Sequence, residues 1–429
     1  MVRIVGVAAV AVLVMSCARA TEQDHAQAAA AVERAVNAER PPLAANAGKR
    51  SQALWRDTRH FYQQRHFALA WSDGRRPASA MTALVRSLRA ANREGLDPQR
   101  YGVDDLDARR QQLDSSRAAD ADIACTFAYL LYASDLAYGV TAPEDVNRQW
   151  QSARADVNLE AALDDAVTNN HVEQSLQTLA PASPQYLGLK HQLSLHPDDD
   201  RIRANMDRWR WLPAELGDRY VMVNIPAYHL DVVENGRSVL GMKVVVGSKS
   251  NPTPVLADRM TTIVFSPYWH VPDDIAQREI QPKVEQDPDY LEKHGMEYDD
   301  EGKHVRQRPG TGNSLGLVKF LFPNHFNVYM HDTPARAFFN RIERDLSHGC
   351  VRLDQPMELA KYVLRDRPEW TDDKIDAAMH RGVEQAVPLK TPLAVYLVYF
   401  TAWEEDGELR TAPDIYGYDV RQQAVLAQR

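Results

Sequence analysis

The hydrophobic pattern of this chain changes its period near residue 215, and that change limits what the chain can fold into. Upstream, apolar residues recur every three or four positions. In SAMTALVRSLRAANREGLD, Met81, Leu84, Val85, Leu88 and Ala91 fall on one helical stripe, and Gly95 predicts its stop. DIACTFAYLLYASDLAYG is apolar on nearly every face, which predicts a buried helix. VNLEAALDDAVTNN and SPQYLGLKHQLSLH predict two more, and RIRANMDRWRWLPAEL a further one with Ile202, Met206 and Trp209 on one face and Pro213 ending it. Downstream, RYVMVNI and YHLDVV are rich in β-branched and aromatic residues. VENGRSV sets Asn235-Gly236 between two such runs, which predicts a hairpin. LGMKVVVG, TTIVFS, HFNVYMH and LKTPLAVYLVYFTAW continue the strands. The expectation is an α+β chain, helical first and mostly β afterwards.

With 429 residues there is room for two or three domains. We place a helical domain at 51–200 and a β-rich domain at 201–429. Within the latter, a polar and partly helical segment at about 270–320 separates two strands and predicts a lid. LDQPMELAKYVLRD reads as a helix with Pro356 in its first turn. Residues 21–50 are Ala-rich and read as a tether or a weak helix, with no core expected. Residues 1–20 have the layout of a signal peptide, Arg3 followed by an apolar run from Ile4 to Met15. VMSC resembles a lipoprotein signal that would leave Cys17 acylated as a membrane tether, and ARA at 18–20 suits ordinary cleavage; both readings stay open. Either implies export. The net charge of −9 argues against nucleic acid as a partner, because phosphate binding needs clustered cations.

The only cysteines besides Cys17 are Cys125, in the buried helix, and Cys350, in DLSHGCVR. Cys125 reads as a small core residue. A nucleophilic thiol at Cys350 needs a base, donors for the oxyanion, and access for substrate. Gly349 permits a tight turn in which successive N–H groups can converge on one oxygen. Two histidines compete as base: His348, next but one in sequence, and His331, at the end of NVYMH. Zinc held by His331, His348 and Cys350 is conceivable by residue type, but no CxxC or HxxxH spacing supports it; neither a metal nor a cofactor is expected.

YMHDT, whose His331 is followed after a fifteen-residue spacer by SHGCVR, resembles the signature of bacterial L,D-transpeptidases. RWRWLP, VNIPAYHL, VVVGSKSNPTP, SPYWHVP, RPGTGNSLG, LFPNHF and DIYGYD resemble the larger Gram-negative branch. FYQQRHFALAW and GLDPQRYG resemble the helical scaffold domain of that branch. The resemblance implies a β-sandwich catalytic domain with a capping subdomain, behind a scaffold domain. It implies that Cys350 is the nucleophile and His331 the base, oriented by a carbonyl near Asp332. Ser347, His348 and Gly349 would shape the loop and its oxyanion pocket. Arg352, Tyr329, Trp269 and Asn313 would contact substrate. The implied partners are peptidoglycan stem peptides, a donor tetrapeptide and an acceptor amine, joined in a 3→3 cross-link in the periplasm. Two departures stand out. Ser266 and His270 occupy positions where the branch often has Asn, and the peptidoglycan-binding module that many members carry before RWRWLP is not apparent.

Overall fold

The computed structural model describes residues 23–37, 48–150, 153–299 and 301–427. The expected signal peptide, with Cys17, lies outside the described residues. The chain divides into two compact units, one formed mainly by the residues before 215 and one mainly by those after.

The first unit is helical and is built around Ala118–Tyr138. This helix is buried on nearly all sides, as its unbroken apolar composition requires. Lys49–Gln64, Ser79–Arg89, Leu159–Thr168 and Val172–Leu179 contribute to the same core. All five residues of the predicted stripe from Met81 to Ala91 are buried. The helix itself ends at Arg89, and a 3-10 turn, Ala91–Glu94, carries the chain to Gly95. One carboxylate is sunk into the unit: Asp122 accepts hydrogen bonds from the Tyr62 hydroxyl and from the Ala70 and Trp71 amides. Burial raises its pKa to about 6.

The expectation of no core in residues 21–50 is corrected in part. Residues 23–36 are helical, and Val32 and Val36 are buried in the core of the helical unit. Their i, i+4 spacing puts both on one face, a signal that the surrounding alanines dilute.

The second unit begins with β1 (Arg219–Asn224), β2 (His229–Glu234), β3 (Arg237–Gly247) and β4 (Leu256–Phe265). Between β2 and β3, Asn235 and Gly236 both have positive φ, 49° and 76°, the conformation an Asn-Gly hairpin turn demands. The inserted segment follows, with β5 (Trp269–His270), β6 (Met296–Tyr298) and β7 (Val305–Gln307) in a small sheet of its own. Its apolar centre is Val271, Ile275, Ile280, Met296 and Val305. The chain then rejoins the main sheet as β8 (Val318–Leu321), β9 (Met330–His331), β10 (Asp345–Ser347) and β11 (Val351–Leu353). After two helices come β12 (Gln385–Val398) and the hairpin β13 (Ala402–Glu405) and β14 (Glu408–Thr411).

The main sheet runs β10-β3-β11-β9-β8-β4-β12-β1-β2, and β2 also pairs with β3. Strand β3 pairs with β2 along Arg237–Lys243 and with β11 at Val244 and Val245. The hydrogen-bonded strands therefore close into a circuit, which leaves few free edges. Alternate residues such as Met330, Phe320, Val351 and Leu353 are buried within it.

Candidate active site

Strand β9 lies between β8 and β11, with His331 as its last residue. The register pairs His331 with Lys319 on β8 and with Arg352 on β11. Cys350 directly precedes β11, two residues before the Arg352 that pairs with His331. The two halves of the predicted site thus meet through strand pairing.

His331 is buried, and its Nδ1 lies 2.5 Å from the carbonyl oxygen of Asp332. A carbonyl only accepts, so Nδ1 carries the proton and Nε2 keeps its lone pair. The Asp332 carboxylate accepts from the Leu317 amide at 2.9 Å and pairs with Arg336 at 3.4 Å. These contacts hold the residue that orients the ring. Burial lowers the His331 pKa to about 3, and the Arg352 and Lys319 charges push the same way, against the carbonyls of Asp332 and Leu315. Burial raises the Cys350 thiol to about 11, opposed by a hydrogen bond from the Tyr329 amide and by the Arg352 charge. Both partners are therefore neutral in the resting protein.

The loop bearing Cys350 is clamped from two sides. Ser347 Oγ donates to the Cys350 carbonyl at 2.6 Å and accepts from the Gly349 amide at 3.1 Å. Gly349 has φ 118°, where a side chain would be strained even though the space around it is open. Its carbonyl accepts from Thr253 Oγ1 at 2.7 Å. Thr253 Oγ1 also accepts from the Gly247 amide, and Tyr416 bridges the Thr253 amide and the Gly247 carbonyl. In a planar trans peptide the N–H points opposite to the C=O. Drawing the Gly349 carbonyl toward Thr253 turns the Cys350 N–H the other way, as an oxyanion donor needs. Ser347 and Gly349 thus shape the loop, and the Gly349 amide is already engaged.

His348 is exposed and does not serve the thiol. Its Nε2 is 2.7 Å from Glu279 of the inserted segment, on the π-helical turn Ala276–Ile280. The other candidates divide. Tyr329 is partly buried beside Cys350, its ring centroid 5.8 Å from that of His331. Trp269 pairs with Gln307 in the insert and packs on its core. Asn313 is buried, and its amide donates to the carbonyls of Pro267, Gln307 and Arg308 while its oxygen accepts from the Leu315 amide. It closes the base of the insert and leaves no donor for a substrate. Ser266 is buried too, its hydroxyl donating toward the carbonyls of Ala378 and Met379 rather than lining a cleft. Cys125 and Cys350 are both free thiols.

Sequence reasoning did not single out Lys319, Glu279, Thr253 or Tyr416. A lone lysine inside the apolar run LVKFLF was the available signal for Lys319.

Residues 56–193 match a family model described as a scaffold domain, and residues 218–377 one described as an L,D-transpeptidase catalytic domain. This chain carries an L,D-transpeptidase catalytic domain. A Haemophilus influenzae protein whose name assigns it to the L,D-transpeptidases is 31% identical over 306 residues. The alignment covers 67% of this chain, and the chain spans 60% of that relative's length. Among solved structures, an L,D-transpeptidase from Mycobacterium smegmatis matches 42% of this chain and 58% of its own, at 15% identity and a TM-score of 0.24. The ertapenem-acylated catalytic domain of an Enterococcus faecium L,D-transpeptidase matches 43% of this chain and 99% of its own, at 14% identity and a TM-score of 0.22. The family thus accounts for a helical scaffold followed by a β-rich catalytic domain.

Proposed function

We propose that this L,D-transpeptidase forms 3→3 peptidoglycan cross-links through a thioester on Cys350, in the periplasm of a Gram-negative bacterium. The single observation that supports this most is the hydrogen bond from His331 Nδ1–H to the Asp332 carbonyl, on a strand paired in register with the one that directly follows Cys350. The donor is a tetrapeptide stem. As Sγ bonds to the carbonyl carbon of the third residue, His331 takes the thiol proton and the Cys350 amide receives the developing oxyanion. The carbon–nitrogen bond then breaks, and the proton on His331 passes to the departing amine of D-alanine. An amine of a neighbouring stem attacks the thioester, gives its proton to His331, and releases the thiol on proton return.

The test is incubation of protein lacking residues 1–20 with tetrapeptide muropeptides, read by mass spectrometry. Cross-linked dimers are expected, and the Cys350→Ala and His331→Ala variants should each lose about 10³-fold or more. Trimmed tripeptides alone would mean that water resolves the thioester and the enzyme is an L,D-carboxypeptidase. Absence of any product, with labelling of the protein no greater than that of Cys350→Ala, would overturn the reading.

A further inference from the structure

The helical unit contains a cavity that the acyl-transfer chemistry does not use. Its floor comes from the central helix, which contributes Tyr132 and Leu136, and from Val172–Leu179, which contributes Leu176. These three side chains are 4%, 2% and 2% exposed. The cavity has a volume of about 170 Å³ and continues, past Ala90, Arg93 and Glu173, into a recess of about 500 Å³ lined also by Arg86 and Arg89. An apolar cavity of about 150 Å³ already admits benzene, so the inner part has room for a small side chain and the recess for the rest of a longer ligand. Two groups on its walls have no partner among the described residues. The Tyr132 ring is packed edge-on against Tyr101 with centroids 4.9 Å apart, yet its hydroxyl makes no hydrogen bond, which a buried phenol normally does. The polar groups beside it on the lining are committed elsewhere. Ser87 donates to the Ala83 carbonyl at 3.0 Å, and the two Glu94 oxygens accept from the Tyr186 hydroxyl at 2.7 Å and from Lys190. The other free group is Arg93. Lys190 pairs with Glu94, Arg86 with Glu173 at 2.8 Å and Arg89 with Asp107 at 2.5 Å, and no carboxylate is left for Arg93.

We infer that this cavity is a second peptide-binding site, in the helical unit, that takes the carboxylate end of a short peptide. The carboxylate pairs with Arg93, an aliphatic side chain lies against Leu136 and Leu176, and a backbone carbonyl accepts from the Tyr132 hydroxyl. Charge selects the carboxylate. Arg86, Arg89, Arg93 and Lys190 line the two parts of the cavity against Glu94 and Glu173, and with Asp107 set against Arg89 one positive charge is still over. The mixture of walls selects a peptide. A free inorganic anion would use the arginine and leave the apolar floor and the phenol unserved, whereas a peptide terminus presents an anion, an apolar side chain and a carbonyl acceptor within a few bonds. The identity of that peptide rests on the acyl-transfer reading above: it is an uncross-linked wall stem, which ends in an alanine carboxylate. The helical unit then makes wall contact of its own, in a chain where no separate peptidoglycan-binding module is apparent. Tyr132 and Arg93 are binding residues and take no part in the chemistry at Cys350.

The experiment uses the chain without residues 1–20 and with Cys350→Ala, so that the probe is bound and not consumed. The probe is a disaccharide-tetrapeptide with its terminal carboxylate free, compared with the same compound as the carboxamide. Hydrogen exchange locates the site: exchange should slow across 86–94 and 173–190. The concentration dependence of protection in those segments gives the affinity there, separately from any binding in the catalytic unit. The carboxamide, and the Arg93→Gln variant, should each weaken it by about 10-fold or more, the effect of losing one charge-assisted contact. Tyr132→Phe should weaken it about 3- to 10-fold, as for one neutral hydrogen bond. Because that hydroxyl serves no protein group, the thermal midpoint of Tyr132→Phe should stay where it was, and the variant is expected to fold. Protection confined to the catalytic unit would overturn the inference, as would unchanged affinity in either variant or for the carboxamide. Acylation is followed in parallel by intact mass, with Cys350 present. A chain that acylates but shows no protection at 86–94 and 173–190 would overturn the inference and leave the transpeptidase reading intact. Protection there in a chain that never acylates would uphold the peptide site and overturn that reading.

Discussion

At the scale of single residues, the site is built to hold a thiol and an imidazole apart in charge. His331 lies far below its usual pKa because it is buried and flanked by Arg352 and Lys319, and Cys350 lies above its own because it is buried. This has a consequence for stability. An unfolded chain binds a proton at histidine near pH 6.5, whereas folded His331 stays neutral down to about 3. Between those values the unfolded state holds more protons, so stability falls as pH drops through that window and is fully present above it. His331→Gln removes the titrating group. Thermal midpoints measured from pH 7 to pH 4 should therefore decline less steeply in His331→Gln than in the wild type, and parallel curves would refute the assignment. Cys350 and His331 were legible in the sequence as a candidate pair because a His and an SHGC separated by fifteen residues form a specific pattern. The cations around the base were not, because cross-strand neighbours are fixed by register and not by sequence distance.

At the scale of elements, the insert is tied down in two unequal ways. Asn313 spans its base with a buried amide that serves three carbonyls. His348 and Glu279 join its helical part to the nucleophile loop through an exposed pair. An exposed pair contributes about 0–1 kcal/mol, whereas stripping partners from buried carbonyls costs about 1–3 kcal/mol. Hydrogen exchange across 267–313 should accelerate strongly in Asn313→Ala and by no more than about fivefold in Glu279→Ala. Equal effects would mean that the exposed pair holds more of the insert than its solvent exposure allows. The sequence announced the insert by its polar composition and the hairpin by Asn-Gly, both local signals. The resemblance pointed to Asn313 as a substrate contact, and a polar residue in a Gly-rich loop reads the same whether it faces a cleft or pins a fold. The use of His348 to grip the insert depends on Glu279, sixty-nine positions away, and nothing local foretells that pairing.

At the scale of the whole molecule, two units with separate cores should respond separately to damage. Asp122→Ala would strand the Ala70 and Trp71 amides inside the helical unit and leave the Tyr62 hydroxyl with Thr126 as its partner, a loss of about 3 kcal/mol. Calorimetry of the full chain should then show the helical unit melting earlier while the second transition stays in place; a single, uniformly lowered transition would show that the units unfold together. The division into a helical and a β-rich part was legible from the change in hydrophobic period. The closure of the strands into a circuit was not, because β3 has to pair with both β2 and β11, and a one-dimensional pattern carries no count of neighbours.

The tie from Tyr416 through Thr253 to the Gly349 carbonyl bears on where the working enzyme ends. Similarity to the catalytic-domain family stops at residue 377, yet β12 runs between β4 and β1 beyond that point, and Tyr416 lies further on still. The smallest piece able to hold the Cys350 loop in this conformation is longer than the piece that kinship marks out, so an excised catalytic domain needs its boundary drawn by hydrogen bonds, past Tyr416.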